Sequence, residues 1–554
     1  MLLTKTNGKS PLIQGAESLY GCRVKSLINL GEMLVSDKIK IVFIFMLLSC
    51  VAGQSQAFDA FWVPPVPPLA QYRIDARIDV NQGMIEGTET ISFTNIAAQP
   101  IQRLVLYWIA LGTLDISHNE QPVTVLDCIE DNTGNAYTHI ALAESVLPGE
   151  SFVLDLTFRM EHPGFIQINN IEIGSVFPFL WWGFDTQDDY DVRIEISEDY
   201  LVATSARLNR ETGRYQTQGI RSFGLFLGRG FQSLEAYAGD VKVSCIFAPD
   251  GQDCARLLLD TAVDVINFYK EHFGFYPTRD LVIVPGIDRP AGGYPVATNM
   301  VAIHGMARMH EMPTLHWQWI TAHEIGHQYF GEHVLEKDSP GWLWIGLGIY
   351  ADQQYTQARA LGPDKHQELL ARYCDGMRNG YDTTVARSAE QMEQIDFDFN
   401  NVVIHGKGFA IISALDCILG KDVFSRIVDR CLHEYAGIRL GECEFRVVCE
   451  AESGQDLGWF FDQWIHSNRY LSYEITDTEC TQTDTDYCTQ VTVKKLGTMD
   501  FPIPVQVTFT DGSTQNTFTD RLLPESTVTF MSAAPLQQAV IDPEGKLAMI
   551  VPPL

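Results

Sequence analysis

Residues 323 to 331 read His-Glu-Ile-Gly-His-Gln-Tyr-Phe-Gly. Two histidines four residues apart on a helix carry their imidazoles on one face, about one turn apart, where both can bind a single ion. Glu324, beside the first of them, is placed to take a proton from a water that such an ion makes acidic, while the ion polarises a carbonyl. That is the chemistry of metal-assisted amide hydrolysis, with His323 and His327 as ligands and Glu324 as general base. The bland alternative is a helix that carries two histidines by chance, since a bare HExxH recurs in unrelated chains. Either way the spacing works only on a helix. The run from Pro313 to Phe330 predicts one, with proline at its start, Leu315, Trp319, Ala322 and Gly326 near one stripe, and Gly331 where a C-cap is expected.

The elements around this helix fall into three blocks. After a proline-rich lead-in at residues 62–68, Tyr72, Ile74, Ala76, Ile78 and Val80 alternate with Arg73, Asp75, Arg77 and Asp79, the pattern of a half-buried strand. Short strand patterns continue to about Cys245 and predict an antiparallel β domain over 58–245. From Asp253 the period changes. Leu258, Ala262, Val265, Tyr269 and Phe273 keep helical spacing, and the helix should stop at Gly274 before Pro277. A strand at 281–284, a glycine-rich loop, the HExxH helix and further helices to Trp464 make a second domain over 246–470. Beyond Leu471 the pattern is strand again, with Val505, Val507 and Phe509 alternating before an Asp511-Gly512 turn, a third domain over 471–554. The fold class expected is a multidomain α+β protein.

Length, charge and cysteine content narrow the functional classes. Lys38 and Lys40 precede an apolar run from Ile41 to Gly53 that is too short to span a bilayer, followed by small residues ending at Ala57. This order predicts a signal peptide over 1–57, with Met33 as an alternative start and residues 1–32 as an overcalled extension. A second reading takes Leu47-Leu48-Ser49-Cys50 as a lipobox, with Cys50 acylated and the protein tethered to the cell envelope. The mature chain is therefore expected to be secreted or periplasmic, with no transmembrane helix. Removing residues 1–57 takes away six basic and three acidic side chains and moves the net charge from −31 to −34. So acidic a chain argues against nucleic acid as a partner. Of 12 cysteines, 10 lie beyond Ala57, an even number for an oxidising compartment. Cys480 and Cys488 read as the disulfide staple of a hairpin, whereas Cys374, Cys417 and Cys431 read as unpaired thiols within helices.

With these pieces in place the chain resembles the gluzincin aminopeptidases, the family of aminopeptidase N and leukotriene hydrolase. The likeness rests on residues 323–331, on Gly406-Lys407-Gly408-Phe409-Ala410, and on Ser453-Gly454-Gln455-Asp456-Leu457 with Phe460-Phe461-Asp462-Gln463-Trp464. It implies an N-terminal antiparallel β domain, a thermolysin-like catalytic domain and a C-terminal β-sandwich. It also implies one zinc ion and a peptide or protein substrate.

Three positions depart from the family pattern. The third zinc ligand of the family is a glutamate in a Trp-Leu-Asn-Glu-Gly segment, and here Trp342-Leu343-Trp344-Ile345-Gly346 puts Ile345 in its place. The glutamate that grips a substrate's amino terminus, in Gly-x-Met-Glu-Asn, aligns with Val296 of Gly293-Tyr294-Pro295-Val296-Ala297. The tyrosine that steadies the oxyanion is His405, which can donate a hydrogen bond or itself ligate the metal. As third ligand His405 ranks first, His333 second and a solvent-completed pair of histidines third, while Asp352 reads as a solvated surface acid. Zinc with two protein ligands should be held weakly. Two functions follow from the resemblance and its gaps: a zinc metallopeptidase without strict specificity for a free amino terminus, or an inactive scaffold that binds peptides or a protein partner.

Overall fold

The computed structural model describes residues 67–550 apart from short stretches at 132–133, 162–169, 174–175, 287–288, 290–291, 338–339, 363–364, 389–390 and 393. The expected signal peptide and Cys50 lie outside the described residues. The chain forms two compact units: one from the residues up to 337 with 392–394 and 435–440, the other from 338–391, 395–434 and 441 onward. The whole is mixed α/β with an N-terminal β region.

In the first unit the strands β1 (Ala70–Asp79), β2 (Met84–Thr94), β3 (Ser151–Glu161) and β4 (Asp188–Glu195) lie in the order β4-β1-β2-β3 within an eight-stranded sheet. β1 runs parallel to β4 and antiparallel to β2. The residues dictate which face is covered. Along β3, Phe152, Leu154, Leu156, Phe158 and Met160 are buried and every residue between them is exposed, the two-residue period of a strand with one wet face. β1 buries Tyr72, Ile74, Ala76 and Ile78 in the same way, as its sequence predicts.

Another sheet of this unit has five strands in the order β5-β6-β7-β9-β8, from β5 (Gln232–Ala238), β6 (Val241–Phe247), β7 (Asp280–Pro285), β8 (Gly293–Ala297) and β9 (Met300–Ile303). β6, β7 and β9 are parallel, and helix α1 (Gln252–Phe273) makes the crossover from β6 to β7. Its buried stripe includes Leu258, Ala262, Val265, Tyr269 and Phe273, and it stops at Gly274 as expected. Helix α2 (Thr314–Gly326) follows, with Pro313 as its N-cap. It ends four residues before the predicted Phe330. The N–H groups of Glu332, His333 and Val334 reach five residues back to the carbonyls of His327, Gln328 and Tyr329, so the chain leaves the helix through wide turns.

The second unit is built on helices α3 (Trp342–Ala358), α4 (Lys365–Arg378), α5 (Asn400–Leu419), α6 (Lys421–Glu434), α7 (Glu442–Ser453) and α8 (Gly458–Trp464). The first part of α5, Asn400–Lys407, is π-helical. α5 is apolar enough to cross a bilayer, yet 78% of its apolar stretch is buried inside the protein, as in a core helix. α3 and α5 meet backbone to backbone. A Cβ at Gly346 would stand 2.7 Å from the Gly408 carbonyl oxygen, and one at Gly408 would stand 2.8 Å from that of Trp342. Only glycine fits either position.

The C-terminal strands of this unit make two three-stranded sheets. β10 (Tyr473–Gln482), β11 (Tyr487–Lys495) and β14 (Glu525–Ser532) form one; β12 (Pro504–Phe509), β13 (Thr514–Phe518) and β15 (Leu536–Ile541) form the other. Both contribute to one apolar cluster that includes Val491, Val493, Val505, Val507, Phe509 and Phe530. The hairpin around Cys480 and Cys488 is present, but the staple is not: both thiols are free. In the β10–β11 register Cys480 faces Thr489 and Cys488 faces Thr481. The two cysteines therefore sit at adjacent positions of the ladder, on opposite faces of the sheet, where no disulfide can join them. All ten cysteines among the described residues are free, Cys374 and Cys431 buried within helices as expected.

Candidate metal centre

α2 holds polar side chains out of water. His323, Glu324 and His327 are 7%, 2% and 1% exposed. Nε2 of His323 and Nε2 of His327 are 3.2 Å apart. A tetrahedral ion with nitrogen ligands at about 2.0–2.1 Å sets two donors about 3.3 Å from one another, so the pair already has the bite of two zinc ligands. Nδ1 of His327 lies 3.3 Å from the Phe330 carbonyl oxygen. Donation there keeps the proton on Nδ1 and leaves the Nε2 lone pair for a metal. The indole of Trp319 stacks on His323 at 5.8 Å between centroids and 22° between planes. From α1, the Tyr269 hydroxyl donates to the Ala322 carbonyl at 3.0 Å and ties the helix in place.

Glu324 sits against β8. A Cβ at Gly293 would stand 2.7 Å from Glu324 Oε1 and 2.6 Å from the Ala302 carbonyl oxygen, so glycine alone lets the carboxylate lie on the strand. β8 is the outer strand of its sheet and pairs with β9 on one side. Its Pro295 carries no N–H, a residue that an edge strand tolerates. Two further groups gather here that sequence reasoning missed. The guanidinium of Arg289 would stand 2.9 Å from a Cβ at Gly292, and the His304 ring lies beside Gly286 and Gly292. Burial, and then the Arg289 cation, push the His304 pKa down to about 3, so this imidazole stays neutral. The glycine-rich loop was the only sequence signal for this cluster, and it pointed to a close approach of backbone rather than to these side chains.

Behind the histidine pair a buried network fixes the turn. Glu332, 1% exposed, accepts from Arg221 at 3.0 and 2.5 Å and from Thr298 at 2.5 Å. Gln328 accepts the backbone N–H of Asn299 at 2.7 Å. Val296 is 3% exposed and packs in an apolar cluster with Phe226, Val284 and Ala302. An apolar residue thus fills the position where the resemblance places an amine-gripping acid.

The remaining candidates belong to the other unit, except His333, whose ring packs 5.2 Å from that of Phe275 in the first. Ile345 is buried on α3. His405 lies in the π-helical part of α5 with Nδ1 2.9 Å from the Asn400 carbonyl oxygen, which leaves Nε2 as its acceptor. Asp352 corrects the expectation of a solvated acid: it is 0% exposed and lies 2.5 Å from Nε2 of buried His366. Sequence spacing could not reveal this because the partner stands on another helix. Among the described residues no group of three or more His, Cys, Asp or Glu side chains is placed to hold one ion. The structure brings together His323, Glu324 and His327 and supplies two protein ligands, which fit zinc in type and separation.

Comparison with known proteins gives the same region a family. Residues 258–464 match the Peptidase family M1 domain. A probable aminopeptidase 2 from Sulfurisphaera tokodaii is 22% identical over 46% of this chain and 34% of its own length. Endoplasmic reticulum aminopeptidase 1 from Mus musculus is 25% identical over 45% of this chain and 26% of its own length. Aminopeptidase N from Lactococcus lactis is 24% identical over 49% and 34%. The chain spans about a third or less of the length of these relatives.

Proposed function

We propose, from the match of residues 258–464 to the Peptidase family M1 domain, that the chain is a zinc-dependent, peptidase-like protein acting on peptides without strict need of a free amino terminus. The observation that carries this reading is the 3.2 Å separation of the two Nε2 atoms, with Glu324 buried beside them against Gly293. When bound, zinc supplies Lewis acidity toward a carbonyl and a water. The chain's own residues do the rest. His323 and His327 hold the ion through Nε2, and the Phe330 carbonyl keeps the His327 proton on Nδ1. Glu324 accepts a proton from water. The free edge of β8 offers main-chain hydrogen bonds to an extended peptide. Val296 offers no charge to an ammonium group, so blocked and unblocked peptides should be treated alike.

The test is hydrolysis of one peptide in free and N-acetylated forms, by the native chain and by Glu324→Gln. Comparable cleavage of both forms, lost in the variant, is the expected result. Rapid release of single residues from the free form alone would overturn the specificity. The second reading, a silent scaffold that binds peptides or a protein partner, is favoured by Ile345, which leaves the ion without its usual charged ligand. It predicts peptide binding with no cleavage in either protein. We place the mature chain outside the cytoplasm, secreted or periplasmic, or anchored through Cys50. The support is the basic-apolar-small order from Lys38 to Ala57. Mass analysis of the purified protein's amino terminus should find Phe58 first, or a lipidated Cys50 in the anchored form.

A further inference from the structure

The loop that leads into β8 brings a cation to the candidate centre. Arg289 is exposed. Its guanidinium lies over Gly292, where a Cβ would stand 2.9 Å from one of its nitrogens and 3.3 Å from the His304 ring. Gly292 has a φ of +106°, so glycine is needed there both for the backbone and for the room it leaves. Glu324 lies over the next residue, Gly293. The Arg289 and Glu324 charges are close enough to act on one another, yet among the described residues no carboxylate forms an ion pair with Arg289.

That isolation is informative in a chain with 70 acidic and 39 basic residues. Elsewhere in the same unit Arg193, Arg207, Arg214, Arg221 and Arg229 each hold a carboxylate. Arg289 alone of these six keeps its fork of N–H donors open, and that fork matches a carboxylate at two points. His304 beside it is neutral and adds no second charge.

The place of the cation decides what it can meet. Neighbouring residues of a strand are about 3.3 Å apart along it, so the guanidinium stands about one residue from the point where Glu324 touches β8. An extended peptide on the free edge of β8 carries the groups nearest its scissile bond past that point. Val296, near the far end of the strand, is buried and apolar and offers nothing to a cation. The charge preference of this strand is therefore for anions. Building on the peptidase-like reading of the site, we infer that Arg289 is a specificity-determining residue that binds a carboxylate of the peptide within about two residues of the scissile bond, supplied by an aspartate or glutamate side chain or by the peptide's own C-terminus.

The test is a binding measurement, so that it does not depend on cleavage. The zinc-loaded full chain carrying Glu324→Gln is titrated by calorimetry with N-acetylated peptides of one apolar sequence. One is neutral, with a central glutamine and a C-terminal amide; the second has glutamate for that glutamine; the third has a free C-terminal carboxylate. At least one carboxylate form should bind about tenfold or more tightly than the neutral peptide, and which of the two does so identifies the source. Adding Arg289→Gln should bring all three within about twofold of one another and leave the neutral peptide's Kd unchanged, while Arg289→Lys, a point charge without the fork, should keep part of the preference. Arg289 is exposed, so neither change removes a core residue. Equal affinity for all three peptides, equal weakening of acidic and neutral peptides by Arg289→Gln, or no binding of any peptide would overturn the inference. A carboxylate preference with no cleavage by the chain that keeps Glu324 would instead sink the peptidase reading and leave the inference standing; cleavage with no such preference would do the reverse.

Discussion

α2 and α3 are both covered on nearly every side, yet they solve burial in opposite ways. α2 keeps His316, Thr321, His323 and Glu324 inside, among Trp317, Ile320, Ala322 and Ile325. α3 buries every residue from Trp342 to Ala351 except the half-buried Trp344, a run of leucine, isoleucine, glycine and aromatic side chains, before its first acid. That acid, Asp352, is met by His366 at 2.5 Å. An isolated charge removed from water costs several kcal/mol, and a partner offsets the cost. α3 therefore meets its buried acid with a partner inside the fold, and α2 and its C-cap set two imidazoles with their Nε2 atoms 3.2 Å apart. The difference separates a helix selected for packing from one that retains costly groups for chemistry.

The most damaging way to break this contrast is to remove one imidazole. In His323→Ala or His327→Ala the ion loses half of its protein ligands, and zinc affinity should fall by about 4 kcal/mol or more, roughly a thousandfold. Metal analysis of the purified variants should show background zinc. The native chain, with only two imidazoles identified, should give up its zinc readily to a chelator. Zinc retained at full occupancy in both variants would remove the histidine pair as the site.

Next in size is the pair in the second unit. Asp352→Ala leaves His366 buried without its carboxylate and should cost about 3–5 kcal/mol of stability, the usual loss when one partner of a buried pair is removed. Urea denaturation measures it directly, and a loss under 1 kcal/mol would show that α3 does not depend on the pair. Ile345→Glu sharpens the comparison by giving α3 the acid it lacks. If residue 345 addresses the same ion, zinc should bind at least tenfold tighter, about 1.4 kcal/mol, as read by competition with a chelator. An unchanged affinity would detach α3 from the metal. The smallest effect belongs to the C-terminal hairpin. With no bond between them, Cys480→Ser with Cys488→Ser should leave stability within about 0.5 kcal/mol of the native value in oxidising buffer.

Periodic features were the most legible in the sequence. The alternation in β1, the stripe of α1 and the stop at Gly274 all hold, because each depends on neighbours in the chain. The end of α2 was misjudged because Gln328 and Glu332 are drawn to Asn299, Arg221 and Thr298, partners that no local pattern contains. Asp352 was misread for the same reason, since an acid looks solvated until His366 is seen beside it. The error at Cys480 and Cys488 was one of register: spacing revealed the hairpin, but which residues face each other is set by the turn. Arg289 and His304 had no signal of type or spacing. They come together beside Gly292 only once β8 and β9 have paired.

The glycine seam between α3 and α5 bears on how this protein can change. Where two backbones touch with no side chain between them, neither helix can rotate or slide to absorb a new residue nearby. The direction in which residue 345 points is thus inherited from its neighbour Gly346 and does not depend on what residue 345 is. For a mutating lineage or an engineer, that position is a fixed socket, in which a new side chain alters the chemistry on offer and leaves the frame that presents it unmoved.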